Sequence, residues 1–191
     1  MPNHLKAEAS SCAEDYMSQL KDEVDPQEMY DMLGFHLQQE IKRKIFRRYL
    51  AKHPFYRECA KRPVHWWLVD AMAKYIVQHR HILRDYVVFD EGEPAHEALI
   101  VMVGRLDYLR LARSREVEVY DWVLDPALWL RWVSMGRLTS LEHSEVCAIP
   151  IHEAISKMTY RTDTQRFAAQ FAAKYLAELK LVSSTEVTDL F

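Results

Sequence analysis

The chain has only four glycines in 191 residues, and two of them, Gly92 and Gly104, bracket one apolar run. Glycine suits positions that need positive φ or close backbone approach, and it weakens the interior of regular elements. A chain this poor in glycine should place it where geometry demands it. Glu91-Gly92-Glu93-Pro94 predicts a turn, with Pro94 barring further ladder pairing. Leu99-Ile100-Val101-Met102-Val103 is a continuous apolar run of strand length that stops at the second glycine. Alternation resumes at Leu106-Asp107-Tyr108. The stretch therefore reads as turn, buried strand, glycine bend and strand.

Hydrophobic residues make up 49% of the chain and the formal net charge is −3. That balance fits a soluble globular protein and gives no basic excess for nucleic acid. Cys12, Cys59 and Cys147 are scattered, with no C-x-x-C pair, so neither a disulfide framework nor a zinc-ribbon pattern is suggested. No apolar run has membrane-spanning length, and MPNHLKAEASSC lacks the apolar core of a signal peptide. The expectation is a cytoplasmic protein with no transmembrane segment.

Along the chain, residues 4–22 suit a weakly amphipathic helix, and Asp25-Pro26-Gln27-Glu28 is a helix start. Leu33-Gly34 breaks that helix. A longer one follows, with Leu37, Ile41, Ile45 and Tyr49 on one face. Its Lys42, Arg43, Lys44, Arg47 and Arg48 read as a solvated face ahead of a surface for acidic lipid or an acidic partner. A further helix is expected from Val64 to Gln78, with Trp66, Val69, Ala73 and Ile76 on its stripe. Strands are expected at 86–89, 99–103, 106–111, 117–119, 138–141 and 146–149, with a short helix at 126–132. Pro150 ends the sheet region, 151–159 reads as a helix, and Thr162-Asp163-Thr164-Gln165 is a capping box opening the last one.

Catalytic signatures are missing from the sequence. There is no phosphate-binding glycine loop, no G-x-S-x-G elbow and no H-E-x-x-H. His79 and His81 flank Arg80 at an expected helix end, where alternate residues rarely make a metal site without carboxylates or cysteines alongside, and Glu142, His143 and Glu145 could in principle ligate a metal but read as an exposed polar hairpin. The expectation is a protein that is not an enzyme, with no catalytic residues, no resident cofactor and no metal.

DYVVFDEGEPAHEALIVMVGRLDYL, with its strand, E-G turn and second strand ending in glycine, resembles the cyclic-nucleotide-binding domain. More narrowly it is similar to the cytoplasmic module of hyperpolarisation-activated, cyclic-nucleotide-gated and ether-à-go-go channels. MLGFHLQQEIKRKIFRRYLAKHPFY resembles the end of that family's C-linker, with Leu33-Gly34 where the family usually has Leu-Pro. The likeness spans roughly residues 26 to 180. It implies an α+β fold: an antiparallel β jelly roll flanked by N-terminal linker helices and a C-terminal lid helix. The implied division is a linker-like segment at 1–62, the jelly roll with flanking helices at 63–180, and a tail at 181–191. Gly92 and Gly104 would sit at tight turns.

The family's phosphate-binding cassette falls on WVLDPALWLRWVSMGRLTSLEH, and here the pattern departs. Leu124 stands for the glycine that approaches the phosphate, Asp125 for the ribose-binding glutamate, and Ser134 for the phosphate-binding arginine. The implied pocket comprises Leu124, Asp125, Pro126, Ala127, Ser134, Met135 and Arg137, with Phe167, Phe171 and Tyr175 on the lid. Losing a buried charge partner costs about 2–5 kcal/mol, or roughly 30-fold to a few thousandfold in affinity. Arg131 or Arg137 could replace it, and Trp129 and Trp132 could fill ligand space. The resemblance thus implies a channel gating module with weak or absent cAMP or cGMP binding; in the ether-à-go-go branch the protein's own tail fills the pocket, and KLVSSTEVTDLF is the candidate segment here. The module's partners would be a cyclic nucleotide and channel pore subunits or other proteins, with a homo-tetramer only within a full-length channel. Alternatives are a functional cyclic-nucleotide sensor with an altered cassette and a free-standing protein-interaction scaffold.

Overall fold

The computed structural model describes residues 30–183 and 186–190. Cys12, the helix expected over 4–22 and the helix start at Asp25-Pro26-Gln27-Glu28 lie outside them. The chain divides into two units after Ile41. In the first, residues 30–32 are helical and the chain bends at Leu33-Gly34, as expected. Helix α1 (Phe35–Leu50) then begins, and Gln38 Nε2 donates to the carbonyls of Tyr30 and Leu33 at 3.1 and 3.0 Å.

The second unit contains the rest of α1, α2 (Pro54–Lys61), α3 (Trp66–Ala71), strands, α4 (Ile151–Thr159) and α5 (Thr162–Leu179). The strands are β1 (Gln78–Ile82), β2 (Val87–Phe89), β3 (Glu97–Val103), β4 (Leu106–Arg110), β5 (Arg113–Val117), β6 (Trp122–Val123), β7 (Arg137–Ser140) and β8 (Ser144–Pro150). They form two antiparallel sheets of four, ordered β1-β8-β3-β6 and β2-β7-β4-β5. The architecture is mixed α+β and compatible with a β-sandwich.

The run that opened the sequence analysis is apolar on both faces because β3 is buried on both. Leu99 and Val101 pack with Val146 and Ala148 against Leu106, Tyr108, Val117 and Leu138 of the other sheet. Ala98, Ile100 and Met102 face the opposite way, with Cys147 and Ile149, into a core built with the helices. Gly92 and Gly104 both have positive φ, +87° and +86°. At Gly104 a Cβ would also lie 2.8 Å from the His143 carbonyl oxygen, so close approach as well as φ excludes a side chain there.

Several boundaries differ from the sequence expectation. The helix expected over 64–78 is α3 followed by one π-helical stretch, Met72–Ile76, and then gives way to β1. Val69, Ala73 and Ile76 are buried as expected, but Trp66 is exposed. In α1 the apolar residues buried are Phe46, Tyr49 and Leu50, while Ile45 is exposed; the inward stripe runs at i, i+3, i+4 from Phe46. The strand expected at 106–111 stops at Arg110, because Leu111 and Ala112 take φ of +48° and +59° in a two-residue hairpin turn. That places β5 at 113–117 in place of 117–119. The short helix is only a 3-10 turn, Asp125–Leu128, since the Trp132 carbonyl already accepts from Ala95 N at 3.0 Å in extended pairing. The capping box does not form. Helix α5 begins at Thr162 with Arg161 at its cap, and the Thr164 hydroxyl lies 3.4 Å from His65 Nδ1 instead.

Candidate functional site

The site is built on the segment from β6 to β7. Trp122 and Val123 pair with β3, after which Leu124 turns into left-handed conformation (φ +60°, ψ +22°) and opens the buried turn of Asp125, Pro126, Ala127 and Leu128. Leu124 thus keeps the backbone form that suits glycine, which costs a β-carbon-bearing residue about 1–2 kcal/mol. Its side chain is itself core, so glycine here would relieve the backbone and empty a packed site. From 132 to 134 the chain lies along the E-G turn. Gly92 N donates to the Ser134 carbonyl at 2.9 Å, and Ser134 N donates to the Glu93 carbonyl at 2.8 Å. This is the local use of Gly92.

A carboxylate from the tail occupies this segment. Asp189 is fully buried. Its Oδ2 accepts from the Tyr108 hydroxyl at 2.7 Å, Met135 N at 2.8 Å and Gly136 N at 3.2 Å, and its Oδ1 accepts from Trp132 Nε1 at 2.6 Å. Leu124 N donates to the Asp189 carbonyl at 2.7 Å, and Leu190 makes an isolated antiparallel bridge to Val123. Two backbone amides, an indole and a phenol together hold the oxyanion. Burial and the Asp189 carboxylate push the Tyr108 hydroxyl well above its ordinary range, so it donates. Gly136 is required here, because a Cβ would lie 2.5 Å from the Leu109 carbonyl and 2.8 Å from the Tyr108 ring.

The expected pocket residues are brought together, but they do not converge on a common ligand. Met135 contributes its amide to Asp189, while Pro126 and Ala127 are buried in the 3-10 turn. Asp125 is fully buried and turned toward His53, whose Nε2 lies 3.4 Å from Asp125 Oδ2. His53 Nδ1 accepts from Phe55 N at 3.2 Å at the start of α2, so Nε2 carries the proton toward Asp125. Burial raises the Asp125 carboxyl above its ordinary range, with the His53 hydrogen bond opposing. Asp125 Oδ1 and Ser134 Oγ are buried without a hydrogen-bond partner. Arg137 is exposed and bonded to Asp90, and Arg131 is exposed.

On α5, Phe167 and Phe171 are half-buried against the helical core, with Phe171 4.8 Å from Trp129, 5.3 Å from Phe55 and 5.9 Å from His53 between ring centroids. Tyr175 is half-buried; its hydroxyl is pushed up by burial and by the Asp125 charge. Trp129 and Trp132 therefore lie in different clusters on either side of the β6–β7 segment, one in the aromatic cluster and one on Asp189. Buried Cys59 and Cys147 are free thiols, each pushed up to about 12 by burial.

The resemblance offered the tail as a candidate segment without singling out Asp189, and Tyr108 and His53 were not named as site residues. Tyr108 lies inside the resembling motif, and its alternation with Leu106 marks it as inward-facing. A lone Asp near a chain end and a His before Pro54 carry no comparable signal. Among the described residues, no helix is long and apolar enough to cross a membrane. No family model and no curated protein sequence matches the chain.

Proposed function

We propose that the chain is a regulatory module of the cyclic-nucleotide-binding type, suited to gating a cation channel, whose phosphate pocket is held by its own tail. The observation that carries this reading is the Asp189 carboxylate, which accepts from Trp132, Met135 and Gly136 of the cassette-like segment and from Tyr108 of β4, an oxyanion on the stretch that resembles the family's phosphate site. The strand orders β1-β8-β3-β6 and β2-β7-β4-β5 support it, being those of two interleaved Greek keys in a jelly roll. The helices before β1 take the place of the linker, and α5 takes that of the lid. His53 links them to the cassette: one side chain caps α2 and bonds Asp125. A change at the cassette would thereby reach the helices through a buried contact.

Cyclic nucleotide meets three obstacles in this arrangement. The phosphate position is occupied, Ser134 brings no charge, and Asp125 is engaged by His53. Titration calorimetry with cAMP and cGMP tests the reading. The intact chain should bind at least about tenfold more weakly than a family member with the glycine, glutamate and arginine in place. Ser134→Arg combined with Asp189→Ala should strengthen binding over the intact chain. Submicromolar binding by the intact chain would overturn the proposal.

A further inference from the structure

The fold brings together three metal-ligating side chains that lie on two separate strands. His79 and His81 are alternate residues of β1, so the pleat sets them on one face. In the antiparallel register His81 stands opposite Glu145 and His79 opposite Cys147, which puts Glu145 across from one imidazole and diagonal to the other. Glu145 Oε2 lies 2.9 Å from His79 Nε2, and Oε1 lies 3.8 Å from His81 Nδ1. The two imidazole centroids are 4.7 Å apart, and His143 stacks on His81 at 5.7 Å. One ligand atom from each of His79, His81 and Glu145 lies within 4.8 Å of the other two.

We propose that His79, His81 and Glu145 bind a zinc ion, with water completing its coordination. Two imidazole nitrogens and one carboxylate oxygen form a donor set that suits zinc and disfavours magnesium and calcium, which take oxygen ligands. Metal–ligand distances of about 2.0–2.2 Å put tetrahedral ligand atoms about 3.4 Å apart. The 2.9 and 3.8 Å separations straddle that value. The widest separation closes by rotation of exposed side chains, His79 and His81 being 38% and 59% accessible. Arg80 between them points to the other face and pairs with Glu97 at 2.7 Å, so its charge is directed away from the ion. β1 is an edge strand whose one neighbour is β8. A bound ion would tie it to β8 a second time, directly after the π-helical stretch, and this does not depend on the gating proposal.

The test is calorimetric titration of zinc chloride into the full, tag-free chain, with His79→Ala, His81→Ala and Glu145→Gln beside it. His152→Ala, an exposed histidine on α4, is the control. One equivalent should bind; each of the three variants should weaken binding by about tenfold or more, and the control should not. Magnesium chloride should give no matching heat. If a variant loses its native circular dichroism spectrum, the imidazole nitrogen resonances of the intact chain decide, with His79 and His81 expected to shift on zinc addition. No binding at millimolar zinc, unchanged affinity in folded variants, or shifts confined to other histidines would overturn the proposal.

Discussion

Asp189 and Asp125 are both fully buried carboxylates on the same segment, yet they are handled by different physics. Asp189 receives four donors, and hydrogen bonds to a charged group are roughly twice as strong as neutral ones. Asp125 is held by His53 and a hydrogen bond from its own backbone amide, but its other oxygen is unbonded, so burial dominates and its carboxyl is raised. A carboxyl whose folded value is raised favours folding most below its unfolded value, near about 4. That contribution is lost as pH rises through the folded value. Asp125→Asn should therefore flatten the fall in stability from pH 4 upward while still accepting from His53 Nε2. Denaturant midpoints of the two proteins across pH 4–8 check this; parallel curves would mean that Asp125 is already charged at no cost. Neither residue's role was legible in the sequence. Asp125 was placed by resemblance to a ribose ligand, whereas its partner lies 72 residues earlier on the helical side.

Elements were legible where one periodicity governed and obscure where polarity hid it. β3 was read correctly because burial on both faces leaves a solid apolar run. β1 was missed because Gln78, His79, Arg80 and His81 are all exposed on an edge strand, so the pattern offers no apolar alternation. The β4–β5 turn was missed because Leu111-Ala112 is not turn chemistry, although both residues adopt positive φ. Leu111→Asn with Ala112→Gly should relieve that strain and raise stability by about 1–2 kcal/mol, read as a higher denaturant midpoint. Helix α5 carries a separate expectation. Phe171 contacts Phe55, His53 and Trp129, all in the helical core. Phe171→Ala should cost near the lower end of the roughly 3–5 kcal/mol typical of such truncations. Amide exchange should quicken across 165–179, with β4 and β7 still protected. A uniform rise through strands and helix alike would show α5 to be ordinary core without a lid's independence.

At the scale of the whole molecule, two cores share one wall: the sheet containing β3 packs on the other sheet through one face and on the helices through the opposite face. The order of helices, strands and helices was legible, as were the turns at Gly92 and Gly104. Sheet pairing, the His53–Asp125 contact and the return of the tail to the cassette were not, because each depends on partners distant in sequence that leave no local period. The central claim is that the tail, through Asp189, is an intrinsic partner of the segment between β6 and β7. The most direct measurement is residue-resolved amide exchange at Leu124, Met135 and Gly136 in the intact chain and in Asp189→Ala. Each of the three amides donates to Asp189. They should be protected in the intact chain and exchange at least about tenfold faster in the variant, with β3 and β8 unchanged. Equal exchange at these amides in the two proteins would contradict the account.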